Sequence, residues 1–291
     1  MRGAVLSQPG QPIEVVEVDI APPGPGQVRV RVAACGVCHS DISLTDGSFP
    51  LMGPTIPGHE AAGVVTEVGA GVTRLEVGDH VVLSPNPACG HCRSCRRGRP
   101  GTCTETSALM TSTFPDGSTG LSLAGEVVYR GLGVAAWATE VNVLAGGAVK
   151  IPDDVPLDVA CVIGCAVQTG VGAALNTASI QPGDSVLVLG AGGIGVSIAA
   201  GAAIAGATRV IVSDPSESRR EQAMAFGATH VIDPTAADVV AEVMDLVDGG
   251  VDSAFDAVGS VELIDTAVAA TCNGGGGRAG GCGADRRPAC R

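Results

Sequence analysis

The chain has 291 residues, 45% of them hydrophobic and only 2% aromatic, with a formal net charge of −13. That length accommodates two domains. A core poor in aromatics must be filled by Val, Leu, Ile and Ala, which favours parallel sheet and helix packing over an aromatic-rich sandwich. The negative charge argues against nucleic acid as the main partner, since phosphate backbones attract the opposite sign.

Residues 1–17 contain no long apolar core and read as a strand, not a signal peptide, so a cytoplasmic location is expected. Residues 1–155 form a β-rich domain in this reading. Residues 2–6 and 13–19 alternate like strands, and residues 27–34 (QVRVRVAA) alternate strictly between apolar and polar. The cluster Pro22-Pro23-Gly24-Pro25-Gly26 separates them as a turn. Residues 63–68 and 79–83 continue the pattern.

Two short segments in this domain carry candidate ligands. Gly36-Val37-Cys38-His39-Ser40-Asp41 follows a strand, and Gly58-His59-Glu60 opens another apolar run. Further along come four cysteines, Cys89, Cys92, Cys95 and Cys103. Without a secretion signal, such a cluster points to metal rather than disulfides. Four thiolates on one short lobe suit a closed tetrahedral structural zinc. Arg93, Arg96, Arg97 and Arg99 surround them and read as a solvated face that offsets thiolate charge. A zinc-finger module would use the same lobe, but the acidic protein opposes it.

Near Pro156 the texture changes to alternating strands and helices. Residues 186–189, 209–213, 230–233 and 253–258 read as strands; residues 194–205 and 217–226 read as helices. This is the βαβαβ rhythm of a doubly wound parallel sheet. Residues 185–208 carry no charge and are long enough to span a bilayer. Six glycines interrupt them, so a strand, a tight turn and a small-residue helix are expected instead, with no membrane partner. Gly164-Cys165 stands at the approach to this domain. With Cys38 and His59 it would complete a set of two cysteines and one histidine with an open fourth position, as catalytic zinc requires.

Gly190, Gly192 and Gly195 match GxGxxG, with Gly193 and Ile194 between them. Alone the motif is weak. Here it follows a strand, opens a helix, and is followed by Asp214 at the end of the next strand, which is the context that gives it meaning. The helix N-terminus offers free N–H groups to a pyrophosphate. Asp214 would bind the adenosine ribose and repel a 2′-phosphate, favouring NAD; Arg219 lies close enough in sequence to approach the same ribose.

Taken in order, GVCHSD, GHExxGxxxxxG, CxxCxxCx7C, GCxxxTG and GxGxxG resemble the zinc-dependent medium-chain alcohol dehydrogenase family. The resemblance covers residues 1 to about 271. It implies a β-rich GroES-like catalytic domain and a Rossmann domain, with the active site between them. It implies catalytic zinc on Cys38, His59 and Cys165, with Glu60 behind it as an exchanging ligand and Asp41 orienting His59. Structural zinc falls on Cys89, Cys92, Cys95 and Cys103. Ser40 would take the alcohol proton, His39 would contact pyrophosphate where many relatives have Arg, and Thr169 and Ile194 would press on the nicotinamide. Some relatives end the proton relay at a His where this chain has Ser43. The implied partner is a small alcohol or aldehyde: a short primary alcohol, an aromatic alcohol or a thiol adduct of formaldehyde. The implied assembly is a homo-oligomer. A polyol or aldehyde reductase of the same superfamily and an inactive zinc- and NAD-binding remnant are the alternatives.

Residues 156–271 supply only four strands of a six-stranded Rossmann sheet in this reading. Residues 272–291 hold seven Gly, four Arg and three Cys, without one Val, Leu or Ile. They are expected to be an aberrant, disordered tail: a frameshift product or the end of a truncated gene product, with a genuine Cys/Gly tail as the alternative. The strand at 253–258 would then be a bare apolar edge prone to aggregation, and the family's oligomer surface would be missing.

Overall fold

The computed structural model describes residues 1–105 and 111–279. Two compact units divide the chain, Met1–Cys165 and Ala166–Arg291.

The first unit is built on a five-stranded antiparallel sheet. Its order is Glu140–Leu144, Gln27–Cys35, Ala61–Val68, His80–Leu83 and Ala148–Lys150. Val28 and Val30 alternate inward from the Gln27–Cys35 strand and are fully buried with Val65, Val81 and Leu83. β-Branched residues on one pleated face make this the core side. Gly63 lets neighbouring strands close up, because a Cβ there would overlap the Arg31 carbonyl. The sheet thereby fixes the starting points of two loops: the one leaving Cys35 and the one entering Ala61.

The second unit is a five-stranded parallel sheet in the order His230–Ile232, Arg209–Ser213, Ser185–Leu189, Val251–Asp256 and Thr271–Ala279. Along Ser185–Leu189, Val186 and Val188 pack into one core with Ile198, Ala202 and Phe255. Leu187 and Leu189 pack on the opposite face with Ile211, Val243 and Ala267. Both faces are therefore covered, as a doubly wound parallel sheet demands. The uncharged stretch resolves into the Ser185–Leu189 strand and the 13-residue helix Gly193–Ala205. No single helix among the described residues is long and apolar enough to cross a bilayer.

Two helices, Val239–Leu246 and Val261–Ala269, were not marked by sequence patterning. One sequence expectation is overturned. Thr271–Ala279 forms a fifth strand, parallel to Val251–Asp256, where a disordered tail was expected. A parallel ladder needs only backbone N–H and C=O groups, and glycine carries both. Gly275 also fits where other residues do not: a Cβ there would lie 2.6 Å from Thr271 Cγ2 and 2.9 Å from the Asp252 carbonyl. Gly274, at φ +91°, turns the chain where the register shifts between Val251 and Ser253. The expected bare edge is thus paired. Cys282 and Cys290 lie outside the described residues.

This pairing predicts a difference between two shortened chains. A chain ending at Ala270 should scatter light and bind a hydrophobic dye, because the buried Val251–Asp256 strand loses its neighbour. A chain ending at Ala279 should stay monodisperse. Equal behaviour of the two would show that Thr271–Ala279 covers nothing of consequence.

Candidate metal and dinucleotide sites

Cys38 has extended backbone geometry and caps the helix His39–Thr45. Asp41, at the third helical position, turns back so that its Oδ2 accepts the Cys38 N–H at 3.1 Å. This is the reciprocal logic of a capping box, with a cysteine at the cap. The Asp41 carboxylate is fully buried. Its Oδ1 accepts the Gly58 N–H at 2.9 Å and lies 3.2 Å from His59 Nδ1. Gly58 adopts φ +94°, the left-handed region that favours glycine. Asp41 therefore ties the cysteine loop to the histidine turn and leaves Nε2 as the His59 nitrogen available to a metal.

Cys165 reaches the same place from the Cys161–Gly164 turn. Gly164 packs directly on the Leu83 carbonyl, which a Cβ would overlap. Gly36 does the same for Glu60, whose carboxylate occupies the space a side chain at 36 would fill. One ligand atom each from Cys38, His59, Glu60 and Cys165 lies within 4.8 Å of the others. A tetrahedral zinc at its usual bond lengths sets its ligands roughly 3.3–3.8 Å apart, so the donor set fits one ion.

The titration behaviour shows the charge crowding. A hydrogen bond from Cys165 pulls the Cys38 thiol down to about 3. That bond, reinforced by burial, pushes the Cys165 thiol up. Burial works against a charged His59, but hydrogen bonds to Asp41 and Cys38 outweigh it and hold it at about 9. Cys35, by contrast, is pushed up to about 12 chiefly by burial. Cys35 is thus an ordinary half-buried thiol, although it stands only three residues from Cys38.

Cys89, Cys92, Cys95 and Cys103 form the second cluster, again within 4.8 Å of one another. Their sulfurs accept backbone N–H groups: His91 and Cys92 donate to Cys89 Sγ at 3.4 and 3.2 Å, and Cys95 donates to Cys92 Sγ at 3.5 Å. The Cys95 N–H lowers the Cys92 thiol, whereas burial pushes the Cys95 thiol up to about 11. Arg93, Arg96, Arg97 and Arg99 are exposed and enter none of the ion pairs among the described residues.

In the second unit the strand Ser185–Leu189 ends at Gly190, which turns with φ +95°. Gly192 caps the following helix and has open space around it, while Gly195 presses against the Gly190 carbonyl, which a Cβ would overlap. These are the demands that a dinucleotide loop makes of its glycines. Asp214 is buried beside the loop, accepting the Ala191 and Ser216 N–H groups at 2.8 Å each. Arg219 Nη1 lies 3.8 Å from the Asp214 carboxylate. Thr169 is exposed and Ile194 half-buried on two helices of this unit. The helices touch at Gly170, where a Cβ would come 2.5 Å from the Ile194 carbonyl. Ser40 is half-buried and His39 exposed at the start of their helix.

Residues 24–153 match the model of the alcohol dehydrogenase GroES-like domain, and residues 193–289 match that of the zinc-binding dehydrogenase. The chain is 41% identical over 275 residues to putative alcohol dehydrogenase D of Mycobacterium tuberculosis, covering 94% of this chain and 74% of that protein. This chain belongs to the zinc-dependent medium-chain alcohol dehydrogenase family. An S-(hydroxymethyl)glutathione dehydrogenase of Synechocystis is 37% identical over 94% of this chain and 76% of its own length. The structure of benzyl alcohol dehydrogenase from Acinetobacter calcoaceticus superposes with a TM-score of 0.89 at 34% identity, covering 96% of this chain and 76% of that one. Membership makes the protein a zinc-dependent oxidoreductase of the alcohol dehydrogenase type, acting on small alcohols or aldehydes, with zinc and NAD(H) as the family's cofactors.

The Asp41 clamp makes a quantitative prediction. Asp41→Ala should weaken metal binding at the Cys38 cluster by about ten- to a hundredfold, the usual cost of losing an orienting carboxylate. The Cys89 cluster should keep its ion. Metal analysis after dialysis against a graded chelator reads both sites at once.

Proposed function

We propose that the protein transfers hydride between a primary or secondary alcohol and NAD, with Cys38, His59 and Cys165 holding a catalytic zinc ion. The observation that carries this reading is the convergence of two sulfurs, one imidazole and the Glu60 carboxylate within 4.8 Å. Zinc held there supplies Lewis acidity toward the substrate oxygen, and NAD supplies the hydride acceptor.

The chain's own groups do the rest. Asp41 accepts the Nδ1 proton of His59 and so presents the Nε2 lone pair. Glu60 stands by as an exchangeable carboxylate. Ser40, one residue before Asp41, relays the alcohol proton: its hydroxyl oxygen accepts that proton while its own proton passes on to water. The Gly190–Gly195 turn offers its N–H groups to the pyrophosphate. Thr169 and Ile194 bound the nicotinamide. Asp214 accepts the ribose hydroxyls, and its negative charge disfavours a 2′-phosphate, which selects NAD over NADP. Cys89, Cys92, Cys95 and Cys103 hold a structural zinc that fixes a lobe with little core of its own. The net charge of −13 supports a small molecule, not a nucleic acid, as the partner.

The test combines metal content with turnover. The protein should contain about two zinc ions per chain, by ligand count, and form NADH from at least one of a short primary alcohol, benzyl alcohol or S-(hydroxymethyl)glutathione. Cys38→Ala should lower turnover by about a thousandfold or more, as expected for losing Lewis-acid stabilisation worth several kcal/mol. The Cys89-cluster zinc should remain. Two zinc ions without NADH formation from any of these substrates would mark a binding remnant and overturn the proposal.

A further inference from the structure

Trp137 is the chain's single tryptophan, and it belongs to neither cysteine cluster. It nevertheless touches two of the three segments that deliver ligands to the Cys38 cluster, the Cys38 loop and the His59 turn. Its backbone N–H donates to the Pro57 carbonyl at 2.9 Å, and the Ala136 N–H donates to the Gly58 carbonyl at 2.9 Å. Gly58 lies flat against the indole; a Cβ there would overlap Cδ1 and come 2.6 Å from the Trp137 nitrogen. The indole Nε1 reaches the other way and donates to the Gly36 carbonyl at 3.4 Å, a long hydrogen bond. The Gly36 N–H donates in turn to the Glu60 carbonyl at 2.8 Å.

These contacts close a ring. Asp41 links Cys38 to Gly58 and His59 through its carboxylate. Trp137 links Gly36 to the Pro57–Gly58 turn through its ring. Gly58 has no side chain with which to fix its own position, so the indole occupies the space beside it and spans from there to the Gly36 carbonyl. We propose that Trp137 is a positioning residue for the catalytic metal, setting the separation of the Cys38 loop from the His59 turn. The backbone hydrogen bonds of residues 136 and 137 do not depend on the side chain. Substituting the indole therefore isolates its contribution. The proposal rests on the reading of Cys38, His59 and Cys165 as a metal site, and the Cys89 cluster serves as an internal control.

The experiment strips the full chain with a chelator and titrates it with Co2+. The thiolate charge-transfer and d–d bands of a site with two sulfurs and one imidazole differ from those of a four-sulfur site. Trp137→Ala should weaken the Cys38 site by about tenfold or more while leaving the affinity of the four-cysteine lobe unchanged, in line with the loss of other groups that orient metal ligands. Trp137→Phe, which keeps a ring but loses the N–H, should recover most of that loss. A second measurement needs no Trp137 variant. Filling the stripped chain with Zn2+ should shift the Trp137 emission, and the shift should be absent from a Cys38→Ser chain. Unchanged affinity of the Cys38 site in Trp137→Ala, or equal weakening of both sites, overturns the proposal. Should Trp137→Ala not fold, an emission that ignores the filling of the Cys38 site overturns it instead. A wild-type chain that binds Co2+ only with the bands of a four-sulfur site contradicts the functional reading itself.

Discussion

A buried carboxylate that has lost its water must find donors within the protein, and Asp41 finds three. The Cys38 N–H, the Gly58 N–H and the His59 ring all turn toward it. Removing any one would leave a buried charge underpaired, at a cost of several kcal/mol. The Cys38 loop and the His59 turn, which leave different strands of the antiparallel sheet, therefore cannot move independently. The same bond decides which imidazole nitrogen is left for a ligand. Glycines at 36, 58 and 164 then allow backbone and side chains to approach where any other residue would collide.

The second consequence is electrostatic. Two sulfurs and a carboxylate crowd together within 4.8 Å, and their negative charges conflict. Cys38 is driven down and Cys165 up. A divalent cation would remove the conflict by satisfying all three, which is why such groups are tolerated at close quarters. Neighbouring Cys35 and Cys161 show the contrast: burial pushes both thiols up, so they stay neutral. In the Cys89 cluster two backbone N–H groups reach the Cys89 sulfur and one reaches the Cys92 sulfur.

Much of this was legible in the sequence because it depends on residue type and spacing. Cys38, His59, Glu60 and Cys165 were identifiable before any fold was known, as were the glycine loop and Asp214. The alternation of Gln27–Cys35 and the apolar run of Ser185–Leu189 also announced themselves. The fifth parallel strand did not, because Thr271–Ala279 pairs through its backbone, whereas sequence patterning reads side chains. The helices Val239–Leu246 and Val261–Ala269 passed unmarked. Trp137 left no signal at all. It lies far along the chain from both segments it touches, and only the folding of the segment preceding the Glu140–Leu144 strand against the Pro57–His59 turn brings it there.

The most direct measurement of the central claim is anomalous X-ray diffraction from zinc-loaded crystals, collected on both sides of the zinc absorption edge. The account predicts an anomalous peak bonded to Cys38 Sγ, His59 Nε2 and Cys165 Sγ at about 2.0–2.3 Å, beside a second peak at the four-cysteine lobe. A peak at the lobe alone, with those three atoms bonded to no common ion, would contradict it.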